Sequence, residues 1–321
     1  MIGSKHIEKA YQNIKADIQE TPLVYSSKLS EISGANVYLK MEHLQKTGSF
    51  KIRGVLNKLS NINKTDFDKT FVAASTGNHA AAFAYASGKI GFNGVLFLPE
   101  NISEIKLKAL DKFNVEKRLF GKNSMETEQK ATTHANEING VLIHPYNDKH
   151  IIAGQGTIGL EIHKELPIAT KILVPIGGGG LISGICSYFS DLTNIEVIGC
   201  QPKNACEMYD SINQNQIVEP SIKHTIADAS AGGIEKNSIT FDICKKHISN
   251  FEILDEETIK RAVAFMVKYH DTEIEPTAAI PVAAMLNSKK YKNETVALVL
   301  TGKKINKELL NEILSDYGES N

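Results

Sequence analysis

The chain has 321 residues, of which 42% are hydrophobic and 23% are charged. This composition suits a large folded core, as two domains or as one large α/β unit, and argues against extensive disorder. Because 36 Lys and Arg face 37 Asp and Glu without a basic block, no nucleic-acid or anionic-membrane partner is expected. A small molecule is the expected ligand.

The N-terminal residues 4–17 have helical spacing and no uninterrupted apolar stretch, so they predict a helix and neither a signal peptide nor a membrane anchor. A cytosolic protein is expected. The cysteines stand singly, as buried thiols of a reducing compartment would, at Cys186, Cys200, Cys206 and Cys244. The ten histidines form no metal-ligand pair, so no zinc site is expected.

Apolar runs alternate with helical patterns along the rest of the chain. Strands are predicted over residues 37–41, 71–75, 94–99, 118–120, 141–144, 172–176, 196–200 and 295–300. Helices are predicted over residues 51–59, 78–89, 103–113 and 124–136, from about 180, and after Pro202. Residues 214–235 are predicted to form a long ordered loop at the cleft. The alternation predicts two open, mostly parallel α/β sheets with a ligand in the cleft between them.

Lys51 occupies an unusual place, where a glycine, a serine and Phe50 lead from a strand pattern into a helix. A lysine held beside Phe50 and Ile52 loses solvation, so its pKa should fall toward the neutral, nucleophilic amine that Schiff-base chemistry needs. The alternative is an ordinary solvated lysine, as most lysines are.

The four glycines at residues 177–180 follow one predicted strand and precede a helix. Glycines let several backbone amides converge at a helix N-terminus, which predicts a phosphate cradle that needs no basic side chain. The run is neither a Walker loop nor a dinucleotide fingerprint. A tight strand-to-helix turn without a ligand is the alternative.

Two further junctions carry polar side chains. Residues 75–79 offer hydroxyls, an amide and the free amides of a new helix, which suit a carboxylate nest or an ordinary N-cap. Thr301 follows the last predicted strand, at the edge where parallel sheets bind ligands, although a Thr-Gly turn is common for local reasons.

Taken together, these motifs resemble the fold type II pyridoxal-phosphate enzymes, and among them the serine/threonine dehydratases and serine racemases. The resemblance covers nearly the whole chain, through residues 21–23, 46–54, 75–79, 177–181, 225–228, 275–277 and 301–302. It implies a large cofactor-binding domain of residues 1–47 plus 148–321 and a small domain of residues 48–147, and a homodimer is the habit of such enzymes. No regulatory domain is expected after Thr301.

The resemblance also implies a role for each matching residue. Lys51 holds pyridoxal 5′-phosphate covalently and then removes the α-proton, and Phe50 packs near the ring. Asn78 bonds the 3′ oxygen of the ring, and Thr301, a neutral group, faces the pyridine nitrogen. The phosphate rests on Gly177, Gly178, Gly179, Gly180 and the Leu181 amide. The substrate carboxylate is gripped by the loop formed by Ser75, Thr76, Gly77, Asn78 and His79.

These roles predict an ammonia-lyase that converts a 3-hydroxy amino acid, such as L-threonine, L-serine or 3-hydroxyaspartate, into a 2-oxo acid and ammonia. Thr76 departs from the alanine that threonine dehydratases often carry and offers a hydroxyl, as the serine of serine racemases does. A serine or aspartate racemase is therefore the first alternative. A catabolic dehydratase for another hydroxylated amino acid, and a non-catalytic phosphate binder, are the others.

Three other departures concern the pocket and a metal. Ala229 stands where glycine is usual after residue 228, and residues 301–304 read Thr-Gly-Lys-Lys where Gly-Gly-Asn or a close variant is common. Related enzymes hold a divalent cation at positions that match Gln201, Ala205 and Glu207. An amide in place of a carboxylate removes one charge, so a hard cation is expected to bind more weakly here than in those enzymes, and its presence is doubtful.

Overall fold

A computed structural model describes residues 2–318 except 103, 112, 114, 123, 193, 194, 222 and 287. Its strands are β1 (Leu23–Tyr25), β2 (Asn36–Lys40), β3 (Phe71–Ala74), β4 (Gly94–Leu98), β5 (Glu116–Leu119), β6 (Val141–Leu142), β7 (Lys171–Pro175), β8 (Glu196–Pro202), β9 (Asn250–Leu254) and β10 (Thr295–Val299).

The helices cover the sheets that these strands form. They are α1 (Ser4–Ile14), α2 (Ser27–Ser33), α3 (Lys51–Ser60), α4 (Asn78–Ile90), α5 (Glu104–Ala109), α6 (Ser124–Glu137), α7 (Lys149–Glu165), α8 (Gly180–Phe189), α9 (Glu207–Gln214), α10 (Ile239–His247), α11 (Glu256–His270), α12 (Pro276–Leu286) and α13 (Lys307–Tyr317). Short 3₁₀ turns lie at Glu42–Leu44, Lys64–Asp66 and Asp228–Ser230.

The strands form two separate sheets. The larger has the order β1-β2-β10-β7-β8-β9, and only its edge strand β1 runs antiparallel to its neighbour. The smaller has the order β5-β4-β3-β6 and is parallel throughout. The predicted α/β class with two mostly parallel sheets is therefore confirmed. The smaller sheet uses residues 71–142, while the domain bounds at 48 and 147 stay a prediction.

Each sheet buries apolar side chains on both faces. In the larger sheet, Leu173 and Leu298 belong to one buried cluster, and Ile172 and Val299 belong to another. Alternate residues of a strand point to opposite faces, so burial of both sets means that helices cover the two sides. No helix among the described residues is long and apolar enough to cross a membrane.

Several predicted bounds were wrong at their ends. The first helix stops at Ile14, and the strand predicted at 118–120 runs over Glu116–Leu119. The strand predicted at 141–144 keeps only Val141–Leu142, because the His144 ring nitrogen then accepts two backbone amides and turns the chain. Ser103, the predicted start of one helix, lies outside the described residues. The predicted loop 214–235 contains one 3₁₀ turn.

The long helix α7 was missed because its sequence contains Gly154, Gly156 and Gly159. A Cβ at Gly154 would lie 2.6 Å from the carbonyl oxygen of Arg53, and one at Gly156 would lie 2.6 Å from that of Gly184. Close packing of α7 against α3 and α8 therefore requires these glycines and outweighs their poor helix propensity. All four cysteines are free thiols, and Cys206 is only partly buried.

Candidate active site

Lys51 is the first residue of α3, and its amine donates a 2.8 Å hydrogen bond to the carbonyl oxygen of Pro145. The nitrogen also lies 5.3 Å from the centre of the Phe50 ring. Burial lowers the pKa of the amine to about 8, against the opposing charges of Glu128 and Glu275. The predicted fall in the pKa is thus present, and about a tenth of the amine is neutral at pH 7.

The carboxyl group of Glu128 interacts electrostatically with the Lys51 amine. Burial raises the pKa of Glu128, on α6, to about 7, while the charges of His144 and Lys51 act in the opposite direction. His144 itself approaches the Glu235 carboxylate at 3.1 Å. No local pattern marks Glu128 or His144 as part of the surroundings of Lys51, because distant segments of the chain bring these residues together.

The glycine run follows β7 and ends in the first turn of α8. Gly179 has a φ of +85°, a conformation that favours glycine. Among the described residues, no acceptor is recorded for the backbone amides of residues 177–181. Five amide donors at one helix N-terminus suit an anion.

Tyr146 closes one side of this run. A Cβ at Gly178 would lie 2.5 Å from Cδ1 of Tyr146, and one at Gly180 would lie 2.8 Å from its Cβ. The Tyr146 hydroxyl accepts a 2.9 Å hydrogen bond from the Glu235 amide. The glycines are therefore required for close packing as well as for exposed amides.

Residues 75–79 connect β3 to α4, as predicted. Ser75 Oγ accepts a 3.2 Å bond from the Gly77 amide, and Ser75, Thr76 and Gly77 are half-buried. His79 is buried and donates from Nε2 to the carbonyl oxygen of Ile143 at 2.8 Å. Burial and the charge of Lys51 lower its pKa to about 3, so the ring brings no positive charge to the loop.

Asn78 and Thr301 meet at Glu275, a residue to which the sequence assigned no role. Asn78 Nδ2 donates to Glu275 Oε2 at 2.8 Å, and the Thr301 hydroxyl donates to Oε1 at 3.4 Å. The Phe50 amide donates to the Thr301 carbonyl at 3.2 Å. These contacts hold the beginnings of α3 and α4 close to the end of β10.

An ion network fixes α3 behind the Lys51 amine. Arg53 bonds Glu42 at 2.7 and 2.8 Å and Glu161 at 2.5 and 2.8 Å, and Lys40 bonds Glu161 at 2.8 Å. All four side chains are fully buried. Burial alone would raise the pKa of Glu42, but Arg53 holds it below its ordinary value. The network joins α3 to α7 and to the segment after β2.

The three positions matched to a cation site bond to one another or to backbone instead. Gln201 Nε2 donates to the carbonyl oxygen of Ala205 at 3.4 Å, and Gln201 Oε1 accepts from the Tyr209 amide. Glu207 accepts from the Ser221 amide at 2.9 Å. A hydrogen-bond donor aimed at the carbonyl takes the place of a cation, so these residues do not fit a hard metal ion.

The residues around Lys51 and the glycine run, in contrast, fit a phosphorylated aldehyde cofactor. The glycine amides lack acceptors among the described residues, and Lys51 offers an amine of lowered pKa. Asn78 Oδ1 is buried without a described partner, so the hydrogen-bonding capacity of this amide is not fully used within the chain. The anion cradle, the amine of lowered pKa and the incompletely bonded amide are three features that suit such a group.

Comparison with known proteins agrees with this chemistry. The family model described as pyridoxal-phosphate dependent enzyme matches residues 14–302. The chain is 36% identical over 317 residues to L-threonine ammonia-lyase of Thermotoga maritima, covering 98% of this chain and 79% of that protein. It is 34% identical to the catabolic L-threonine dehydratase TdcB of Staphylococcus aureus, covering 92% of this chain and 87% of that one.

A solved structure gives the same answer for the fold. Serine racemase from Dictyostelium discoideum superposes with a TM-score of 0.88 at 31% identity, over 95% of this chain and 99% of that one. Fold, site chemistry and sequence similarity thus agree, and the chain belongs to the pyridoxal-phosphate dependent enzymes of fold type II.

Proposed function

We propose that the chain is an ammonia-lyase that converts a 3-hydroxy amino acid into a 2-oxo acid and ammonia, with L-threonine, L-serine and 3-hydroxyaspartate as the candidate substrates. The observation that carries this proposal is the half-buried Lys51 amine, whose pKa of about 8 suits a base that takes an α-proton. The near full-length similarity to an L-threonine ammonia-lyase supports the choice of reaction.

We assign the binding of the cofactor phosphate to Gly177, Gly178, Gly179, Gly180 and the Leu181 amide. Phe50 would pack near the ring, Asn78 would bond the ring oxygen, and Thr301 would face the ring nitrogen. When bound, the cofactor supplies an electron sink for the electrons released at the α-carbon. The neutral hydroxyl of Thr301 would not stabilise a protonated nitrogen, which favours loss of the β-hydroxyl over transamination.

The substrate is assigned to the opposite wall of the cleft. Ser75, Thr76, Gly77, Asn78 and His79 would hold its carboxylate through backbone amides and hydroxyls at the start of α4. Lys51 would then take the α-proton, and the β-hydroxyl would leave as water. The amino group is released as ammonia when the eliminated product is hydrolysed.

A racemase of serine or aspartate is the second candidate. It is favoured by the Thr76 hydroxyl, which could return a proton to the face opposite Lys51, and by the similarity to a serine racemase. A pure phosphate binder is disfavoured, because such a protein needs the glycines but not an amine of lowered pKa. A dehydratase for another hydroxylated amino acid would use the same residues.

One assay separates these candidates. The purified protein, loaded with pyridoxal phosphate, is incubated with L-serine, L-threonine and both diastereomers of 3-hydroxyaspartate, and the 2-oxo acid and the D-amino acid are measured together. We expect 2-oxo acid in excess. D-amino acid in excess would overturn the lyase assignment. If neither product forms, none of these substrates is turned over, and the remaining candidates are a dehydratase of another hydroxylated amino acid and a non-catalytic phosphate binder.

Thr76→Ala tests the role of the hydroxyl separately, with Thr76→Ser as the matched control. Racemisation should fall more than elimination in Thr76→Ala and persist in Thr76→Ser. Equal loss of both reactions would contradict the role. We further propose a cytosolic homodimer without nucleic-acid or membrane partners, which light scattering of the purified protein would check for subunit number.

A further inference from the structure

Glu275 is a buried carboxylic acid at the junction of the site. It stands directly before α12, its side chain is 4% exposed, and its backbone amide donates to the Gly302 carbonyl at 3.0 Å. A Cβ at Gly302 would lie 2.6 Å from Oε1 of Glu275. The carboxyl group is therefore held tightly in one place.

The carboxyl group joins two residues that the proposed function places on the cofactor. Oε2 accepts from Asn78 Nδ2 at 2.8 Å, and Oε1 lies 3.4 Å from the Thr301 hydroxyl. Asn78 begins a helix of the smaller sheet, whereas Thr301 follows a strand of the larger one. Glu275 thus acts on both residues at once.

The surroundings of this carboxyl group place its pKa near neutral pH, where the protonated and ionised forms are both populated. Burial raises its pKa to about 7, and the charge of Asp228 adds to that rise. The Asn78 hydrogen bond, Lys304 and the Thr301 hydrogen bond act in the opposite direction. Glu275 in turn raises the pKa of Lys51 when it is ionised.

The protonation of Glu275 decides which end of the Asn78 amide it can bind. An ionised carboxylate only accepts, so it holds Nδ2 and turns Oδ1 away. This is the arrangement in the structure, where Oδ1 is buried without a described partner. A protonated carboxyl group can donate to Oδ1, which would free Nδ2 to face the other way.

A deprotonated ring oxygen on the cofactor can only accept a hydrogen bond, so it needs Nδ2 and not Oδ1. We propose that Glu275 is a positioning residue that takes up a proton from solvent when the cofactor binds, turning the Asn78 amide so that its N–H group meets the ring oxygen. The proposal rests on the cofactor contact assigned to Asn78, and not on the identity of the substrate.

The same proton would act on Lys51. An ionised Glu275 favours the charged form of the Lys51 amine, whereas a protonated Glu275 removes that influence. Loading the cofactor would therefore lower the proton affinity of Lys51 at the moment when its neutral form is needed.

Isothermal titration calorimetry of pyridoxal phosphate binding, in buffers of different ionisation enthalpy, counts the protons that are taken up. Because Glu275 is mostly ionised at pH 8, wild-type protein should take up about one proton more than Glu275→Gln, whose amide donates at every pH. Above pH 7, the dissociation constant of the wild-type protein should increase with pH more steeply than that of Glu275→Gln. The ratio of the two constants should grow by up to about tenfold per pH unit.

Glu273→Gln is the matched control. Glu273 lies in the same segment, is exposed and pairs with Lys307 at 2.6 Å, so this variant should take up protons as wild type does. Equal uptake in wild type and Glu275→Gln would overturn the proposal, and so would an effect of equal size in Glu273→Gln.

If Glu275→Gln fails to bind the cofactor, infrared difference spectra of wild-type protein decide the matter. Cofactor addition at pH 8 should produce the carbonyl stretch of a protonated buried carboxyl group, and its absence would overturn the proposal. Asn78→Ala tests the cofactor contact independently of the proton. Unchanged cofactor affinity in that variant would refute the contact assigned to Asn78, whereas equal proton uptake in wild type and Glu275→Gln would refute only the role of Glu275.

Discussion

The amine of Lys51 donates to the carbonyl oxygen of Pro145 across 2.8 Å; Lys51 is the first residue of α3, and Pro145 lies in the turn that precedes α7. A backbone carbonyl accepts from either the charged or the neutral amine, so the contact orients the nitrogen without fixing its charge. The amine is therefore held in place and remains available for reaction.

Replacing this amine removes the covalent site. Lys51→Ala should abolish 2-oxo acid formation and the visible absorbance of the bound cofactor, while the thermal unfolding midpoint changes little because the ion network of Arg53 is intact. Absorbance spectra, turnover and calorimetry measure these quantities. Lys46→Ala, an exposed lysine of the same segment, is the control and should behave as wild type; covalent cofactor in Lys51→Ala would refute the assignment.

The rate of cofactor loading should depend on pH through Lys51. In the protein without cofactor the pKa of its amine is about 8, so the reactive neutral fraction grows about tenfold per pH unit below 8 and levels off above it. Stopped-flow absorbance after mixing with pyridoxal phosphate measures this rate. A rate that still rises steeply at pH 10 would mean that the amine has an ordinary pKa.

The glycine run should not tolerate a methyl group facing Tyr146. A Cβ at Gly178 would overlap the Tyr146 ring at 2.5 Å, so Gly178→Ala should weaken pyridoxal phosphate binding by about tenfold or more through displacement of the run. Gly88→Ala, where no atom lies within 4 Å, is the control and should leave the affinity unchanged.

A double-mutant cycle identifies Tyr146 as the cause. In a Tyr146→Ala background the space beside residue 178 is open, so Gly178→Ala should cost much less affinity there than in wild type. Equal cost in both backgrounds, measured by fluorescence titration of the cofactor, would show that the ring is not responsible.

Breaking the buried ion network should destabilise the fold strongly. Arg53→Leu leaves Glu42 and Glu161 buried with only Lys40 as a counter-charge, which should lower the free energy of unfolding by about 3–5 kcal/mol. Urea unfolding of the protein without cofactor measures this change. Lys28→Leu, which breaks the exposed pair with Glu31, should have little effect. A loss below about 1 kcal/mol for Arg53→Leu would contradict the role of the network.

The parts of the site that begin helices could be predicted from the sequence. Lys51, Asn78 and Gly180 each start a helix after an apolar strand, and glycine, serine and asparagine mark such junctions locally. The parallel sheets followed from the alternation of apolar runs and helical patterns. These signals lie within a few residues of the feature that they predict.

The missing parts depend on contacts between distant segments. Glu275 reaches Asn78 across the two sheets, and the Pro145 carbonyl reaches Lys51. No local pattern distinguishes a buried carboxylate from a solvated one, so neither Glu275 nor Glu128 could be assigned a raised pKa from sequence. The helix α7 was missed for a related reason, since its glycines are required by the packing of other helices.

The hydrogen bond between Lys51 and Pro145 joins the two places where the backbone passes between the larger sheet and the smaller one. The reactive nitrogen is therefore anchored to the connections that the two sheets share, and not to either sheet alone.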